Sequence, residues 1–209
     1  MVSIKSAPNT SQEPTTRGDG RERILDESRT RFLDKGFSAT SMQEIADAVG
    51  MTKPALYYHF EDKNELFLAV VAREMDRGYV EFNRNMQAHA HISDRLEAGA
   101  IYCFQMIQGD IGQMMSDLHR FVPAERVVAL KAAHPQPVEM VAEMLTIARE
   151  NGEIGPDENV QDLAQLFIGS IFGQLSMIAC QQCEQSNAVY LGKLAARVFM
   201  DGVGTPATR

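Results

Sequence analysis

Apolar residues recur every three to four positions along nearly the whole chain, and no segment alternates with the period of two expected of a strand. The pattern predicts an all-α fold of about nine helices. A first helix runs from about residue 19 to 35, with Ile24, Leu25, Phe32 and Leu33 on one side and Gly36 at its end. Ser41 stands three residues before Glu44, the spacing of a capping box, so a second helix begins near Met42. Met42, Ile45, Ala46 and Val49 share its inner face, and Gly50 ends it. Thr52 caps a third helix, where Pro54 falls in the tolerant first turn and Leu56 and Phe60 face inward. From Asn64 to about His89 a single long helix carries the stripe Leu66, Phe67, Val70, Val71, Met75, Tyr79, Phe82 and Met86. Gly78 in its middle costs about 1 kcal/mol relative to alanine and marks a possible bend.

The remainder reads as helices near 94–108 and 111–120, then one that Pro123 opens. His134-Pro135-Gln136-Pro137 interrupts it, and it resumes at Val138 and ends at Asn151-Gly152. Two more cover 159–182 and 187–201. Residues 1–18, polar and rich in Ser, Thr and Pro, are expected to be a disordered tail. This divides the chain into a tail (1–18), a three-helix head (19–64) and a second domain (65–209).

Two short helices joined by a tight turn form a rod that suits the major groove of DNA. The segment TSMQEIADAVGMTKPALYYHFEDK, residues 40–63, has that form and ends in an aromatic, basic cluster. Lys53 at the start of the third helix can reach base edges or phosphates. The hydroxyls of Thr40, Thr52, Tyr57 and Tyr58, and the ring of His59, can donate to phosphate oxygens, contacts that fix register and carry little sequence information. Lys63 adds a positive charge close to the backbone.

At these residues the chain resembles the TetR family of transcriptional regulators. The resemblance rests on Ile45-Ala46, on Thr52-Lys53-Pro54-Ala55-Leu56-Tyr57-Tyr58-His59-Phe60, and on Lys63 and Leu66, and it spans about Arg21 to Val71. It implies that Thr40, Ser41, Tyr57, His59 and Lys63 hold phosphates, and that Gln43, Lys53, Pro54 and Tyr58 touch bases.

The net charge of −8 looks wrong for a DNA binder. Residues 1–85 carry 12 Lys and Arg against 14 Asp and Glu, so the head is not basic overall. Affinity must come from local placement of Lys53, Lys63, His59 and the arginines near residue 21, with a marked salt dependence. The N-terminus has no apolar leader, and no run approaches the roughly 20 apolar residues that span a bilayer, so a cytoplasmic protein without a membrane partner is expected. Three cysteines argue against a disulfide framework.

The helix over 159–182 is apolar on two sides and must be covered on two sides. Leu166, Ser170, Gly173, Gln174 and Met177 form its second face, and the last helix offers Leu191, Leu194, Ala195, Val198 and Phe199. Gly169 and Gly173 would let helices approach closely. These two helices read as half of a four-helix homodimer interface, as the resemblance also implies. Two heads would then reach successive major grooves roughly 34–36 Å apart on a double-stranded operator.

Between the long helix and this interface lies a zone of adaptable side chains: Met75, Tyr79, Phe82, Met86, Tyr102, Met106, Met114, Met115, Leu118, Phe121, Met144, Phe167 and Phe172. The resemblance implies a cavity here for a small, largely apolar ligand, which Gln105, His119, Gln174 or Ser176 could orient. Ligand binding would shift the long helix and release a repressor from its operator. Cys180 and Cys183 leave open a regulator switched by thiols, and a structural DNA-binding protein without effector is a further alternative. No nucleophile–base pair, metal cluster or phosphate loop is visible, so neither an enzyme nor a cofactor is expected.

Overall fold

The computed structural model describes residues 17–108, 110–134, 136–179 and 187–203. These form ten helices: α1 (Arg17–Ala39), α2 (Met42–Val49), α3 (Lys53–His59), α4 (Lys63–Gln87), α5 (Ile92–Gln108), α6 (Asp110–Phe121), α7 (Ala124–Ala133), α8 (Pro137–Glu150), α9 (Val160–Ala179) and α10 (Ala188–Val203). No strand occurs among the described residues, and the fold is all-α. The interruption at His134–Pro137 separates α7 from α8 completely, which makes the count one higher than the sequence pattern alone gives. Most of the tail and the pair Cys180 and Cys183 lie outside the described residues, as do the side chains of Ser176 and Met177. No helix among the described residues is long and apolar enough to cross a membrane.

Local rules set the helix ends. Ser41 and Glu44 complete a reciprocal capping box, and Gly50 closes α2 in the left-handed region at φ 69°, ψ 30°. The Thr52 hydroxyl accepts the Ala55 N–H, and Asp62 caps α4 by accepting the Glu65 N–H at 2.7 Å. Gly36 does more than stop a helix. At φ 77°, ψ 168° it redirects the chain inside the span of α1, in a region open essentially to glycine alone.

Packing divides the interior into two cores. The first gathers Ile24, Phe32 and Phe37 of the α1 segment, Ile45, Leu56, and Leu66 to Val71 of α4, together with Met114 and Leu118 of α6 and Val127 of α7. The second gathers Phe82 and Met86 of α4 with apolar residues of α5, α8, α9 and α10. Helix α4 therefore belongs to both, and Gly78 lies between the two contributions. An ionic network ties α1 to the first half of α4. Arg29 meets Glu74 at 2.8 Å, and Arg73 meets Glu22 at 3.1 Å and Asp26 at 2.8 Å. Such pairs contribute little singly when exposed, but here they share partners and Glu74 is almost fully buried.

In the second core the closest helix approach does not use Gly169 or Gly173. A Cβ at either would meet nothing within 4 Å, whereas one at Gly192 would fall 2.4 Å from Ile101 Cγ1 and 2.6 Å from its backbone nitrogen. Helix α10 thus lies against the backbone of α5.

Candidate nucleic-acid interface

The head presents an outward row on α3. Lys53, Pro54, Tyr57 and Tyr58 are exposed, with Tyr58 at 71 % and the Lys53 ammonium 5.9 Å from the Tyr57 ring centre. Their exposure follows from α3 being short. Leu56 and Phe60 bury completely and hold it to the core, so Lys53, Pro54, Tyr57 and Tyr58 on its other faces point away. His59 is half-buried, with its ring edge-on to Tyr58. Ser41, Gln43 and Thr52 are exposed around this row. Gln43 donates to Asp47 at 2.7 Å along α2, and the Ser41 and Thr52 hydroxyls accept capping N–H groups. Each of those two hydroxyls keeps its own proton for a phosphate oxygen.

Thr40 departs from expectation. It is 2 % exposed, and its hydroxyl donates inward, at 2.9 Å to the Gly36 carbonyl and 3.2 Å to that of Arg31. A hydroxyl has one proton, and here it is committed to the chain. Thr40 shapes the turn and does not offer its side chain to DNA.

Lys63 is only partly available. Its ammonium donates to the Phe37 carbonyl at 2.8 Å and the Thr40 carbonyl at 2.9 Å, and it sits 4.2 Å from the Phe37 ring centre. Burial lowers its pKa. Two of three ammonium protons hold the end of the α1 segment, leaving one for a phosphate. Sequence reasoning missed this duty because it depends on the chain reversing at Gly36. It also missed the Lys35–Glu44 pair at 2.9 Å. Hydrogen bonds from Lys35 and from the Ser41 backbone bring the Glu44 carboxyl down to about 2.

The residues expected to line one ligand cavity are split between the two cores. Met114 and Leu118 are buried in the head core, with Met75, Met115 and Phe121 against it, because α6 packs on α1. Phe82, Met86, Met144 and Phe167 are buried in the second core, where Met86 and Phe82 fill the space over Gly99. Tyr79 and Tyr102 sit at that core's margin and Met106 is half-buried, while Gln105, His119, Phe172 and Gln174 are exposed. An open groove of about 470 Å³ lies elsewhere, between the start of α5 and α10, lined by Ser93, Asp94, Glu97, Tyr190, Lys193 and Arg197 among others.

The expected dimer face is also divided. Leu166 (66 % exposed) and Val198 (62 %) face solvent with Ser170, Gly173 and Gln174, and Leu194 and Ala195 are half-buried. Leu191 and Phe199 instead bury in the chain's own core, Phe199 against Phe167 at 5.1 Å between ring centres. The close seating of α10 on α5 turns those two inward, and they drop out of any surface set.

Comparison with known proteins agrees with this geometry. Residues 24–70 match the family of bacterial regulatory proteins of the tetR type. The chain is 26 % identical over 162 residues to the transcriptional regulator UidR of Escherichia coli, covering 77 % of this chain and 82 % of that one. It is 25 % identical over 171 residues to the transcriptional repressor KstR2 of Mycolicibacterium smegmatis, covering 78 % of each. A 94-residue stretch is 35 % identical to the transcriptional activator FasR of the same organism, covering 45 % of this chain and 43 % of that one. In fold the chain is similar to a TetR/AcrR-family regulator from Thermobifida fusca, with a TM-score of 0.69, 21 % identity and coverage of 88 % of this chain and 98 % of that one. With the helix-turn-helix, its exposed α3 row and these relatives in agreement, residues 24–70 carry a DNA-binding head of the tetR type, and the chain as a whole is similar to TetR-family transcriptional regulators.

Proposed function

We propose that this regulator is a cytoplasmic homodimeric repressor that leaves a palindromic operator when a small, largely apolar molecule binds beside α4. The DNA-reading part is carried by one observation, the exposed row Lys53, Pro54, Tyr57 and Tyr58 on α3. In this reading Lys53, Pro54, Tyr58 and Gln43 meet base edges. Ser41, Thr52, Tyr57, His59 and the spare proton of Lys63 hold phosphates. Dimerisation is supported by the uncovered apolar and small residues Leu166, Gly169, Ser170, Gly173 and Val198 on α9 and α10. The repressor KstR2 aligns over far more of this chain than the activator FasR does, which favours repression.

The effector would enter at the seam between the two cores. Gly78 lies there, with Met106 Sδ 3.3 Å and the Tyr102 hydroxyl 3.7 Å from where a Cβ would stand. A ligand that parts this seam bends α4 and changes the spacing of the two heads. It lowers operator affinity only if it binds the DNA-free spacing more tightly.

Selection of fragments from the source genome by the purified protein at moderate salt tests the reading. A recovered inverted repeat supports the dimeric repressor. Binding without sequence preference would point to a structural DNA-binding role, and a single unpaired half-site would remove the dimer from the account.

A further inference from the structure

The chain between the α1 kink and α2 is held by groups from three parts of the molecule. Four of its backbone groups are engaged by side chains. The Gly36 carbonyl accepts from the Thr40 hydroxyl, and the carbonyls of Phe37 and Thr40 accept from Lys63 of α4. The Phe37 N–H donates to Asp117 Oδ2 at 2.7 Å, a bond buried inside the protein and closed across 80 residues of sequence. Asp117 lies on α6, well outside the helix-turn-helix. It is 6 % exposed, and its other oxygen accepts from Gln113 Nε2 at 3.0 Å. The Phe37 ring stacks on Phe121 of the same helix at 5.3 Å between ring centres.

We propose that Asp117 is a positioning residue of the DNA-binding head: its carboxylate, acting on the Phe37 N–H, sets the turn from which α2 and its phosphate-facing Ser41 start. The chemistry fits the place. A buried peptide N–H needs an acceptor, and a carboxylate is the strongest one a side chain can offer. The backbone at Gly36 is redirected toward α6, and a side chain there would sit 3.3 Å from the same Oδ2. The turn lies directly before Thr40 and Ser41, so a loosened Phe37 amide leaves the capping box of α2 without a fixed origin. Helix α6 thereby forms a fourth wall of the head. This inference rests on the head binding DNA and on nothing about ligand, operator symmetry or direction of control.

Hydrogen exchange measured by mass spectrometry on the full chain and on Asp117→Ala and Asp117→Asn, at one protein concentration, separates a local role from a global one. In Asp117→Ala, peptides covering 36–46 should exchange about tenfold faster or more, the factor for loss of a buried charge-assisted bond. Peptides from α8 and α10 should keep wild-type rates. Asp117→Asn, whose amide oxygen can still accept from Phe37, should fall between. It carries the comparison alone if the alanine variant does not fold. Affinity for a mixed-sequence duplex of about 30 base pairs at low salt should fall in the same order. Faster exchange everywhere would make Asp117 an ordinary stabilising residue and overturn the proposal. So would unchanged exchange in 36–46, or locally faster exchange with unchanged DNA affinity.

Discussion

Gly36→Ala should be among the most damaging single-methyl additions in the head. The perturbation has two parts. At φ 77°, ψ 168° the backbone occupies a region that side chains other than hydrogen enter at a cost of about 1–3 kcal/mol. The added Cβ would also stand 3.3 Å from Asp117 Oδ2. That oxygen is already committed to the Phe37 N–H at 2.7 Å, so it cannot retreat without stretching a bond worth about 1 kcal/mol or more. Alanine recovers about 0.4–1 kcal/mol by restricting the unfolded chain. The net loss is about 2–3 kcal/mol, or about 4–12 °C in melting temperature for a chain of this size. Gly50→Ala supplies the internal control. Gly50 is also left-handed, at φ 69°, ψ 30°, but nothing lies within 4 Å of an added Cβ, so its loss is about 1 kcal/mol. Urea unfolding followed by far-ultraviolet circular dichroism at one fixed protein concentration measures both, since any dimer makes stability depend on concentration. A Gly36→Ala loss below about 0.5 kcal/mol, or one no larger than that of Gly50→Ala, would refute the strain argument.

Lys63→Ala should cost both stability, about 1–2 kcal/mol from two orphaned carbonyls, and DNA affinity on all sequences alike. Lys53→Ala should leave stability within about 0.5 kcal/mol and change preference between sequences; denaturation and competition binding together read the difference. Removing the Lys35 ammonium in Lys35→Met should raise the Glu44 carboxyl from about 2 toward its ordinary range, as followed by nuclear magnetic resonance titration. The sign is that of a depressed acid: the contribution of Glu44 to stability is present above about 4.5 and is lost as pH falls toward 2, so an unmoved titration in the variant would discount the pair. Leu166→Glu should halve the molar mass seen by light scattering while leaving the helical content intact, because the side chain is 66 % exposed on its own chain; an unchanged mass places the interface elsewhere.

What could be read from the sequence was whatever nearest neighbours along the chain decide. The capping box at Ser41 and Glu44, the glycine stop at Gly50, the proline start of α3 and the inward pair Leu56 and Phe60 each need only a few adjacent residues. What the sequence did not show has one physical source. Thr40 and Lys63 carry donor groups that DNA would accept equally well, and only the reversal at Gly36 brings backbone carbonyls within their reach first. Leu191 and Phe199 share the apolar face of α10, but the approach of Gly192 to Ile101 decides which part of that face is inside. Methionine spacing gave no means of assigning Met114 to the head and Met144 to the second core, because that assignment is made by α6 lying on α1. The same docking places Asp117 beside Phe37. A polar residue in the middle of an amphipathic helix looks like a solvated one until its buried partner, the Phe37 N–H 80 positions away, is seen. In this chain the exposed row on α3 is encoded locally. The shape that presents it is set by α4 and α6, so substitutions that reach no DNA should still be felt there.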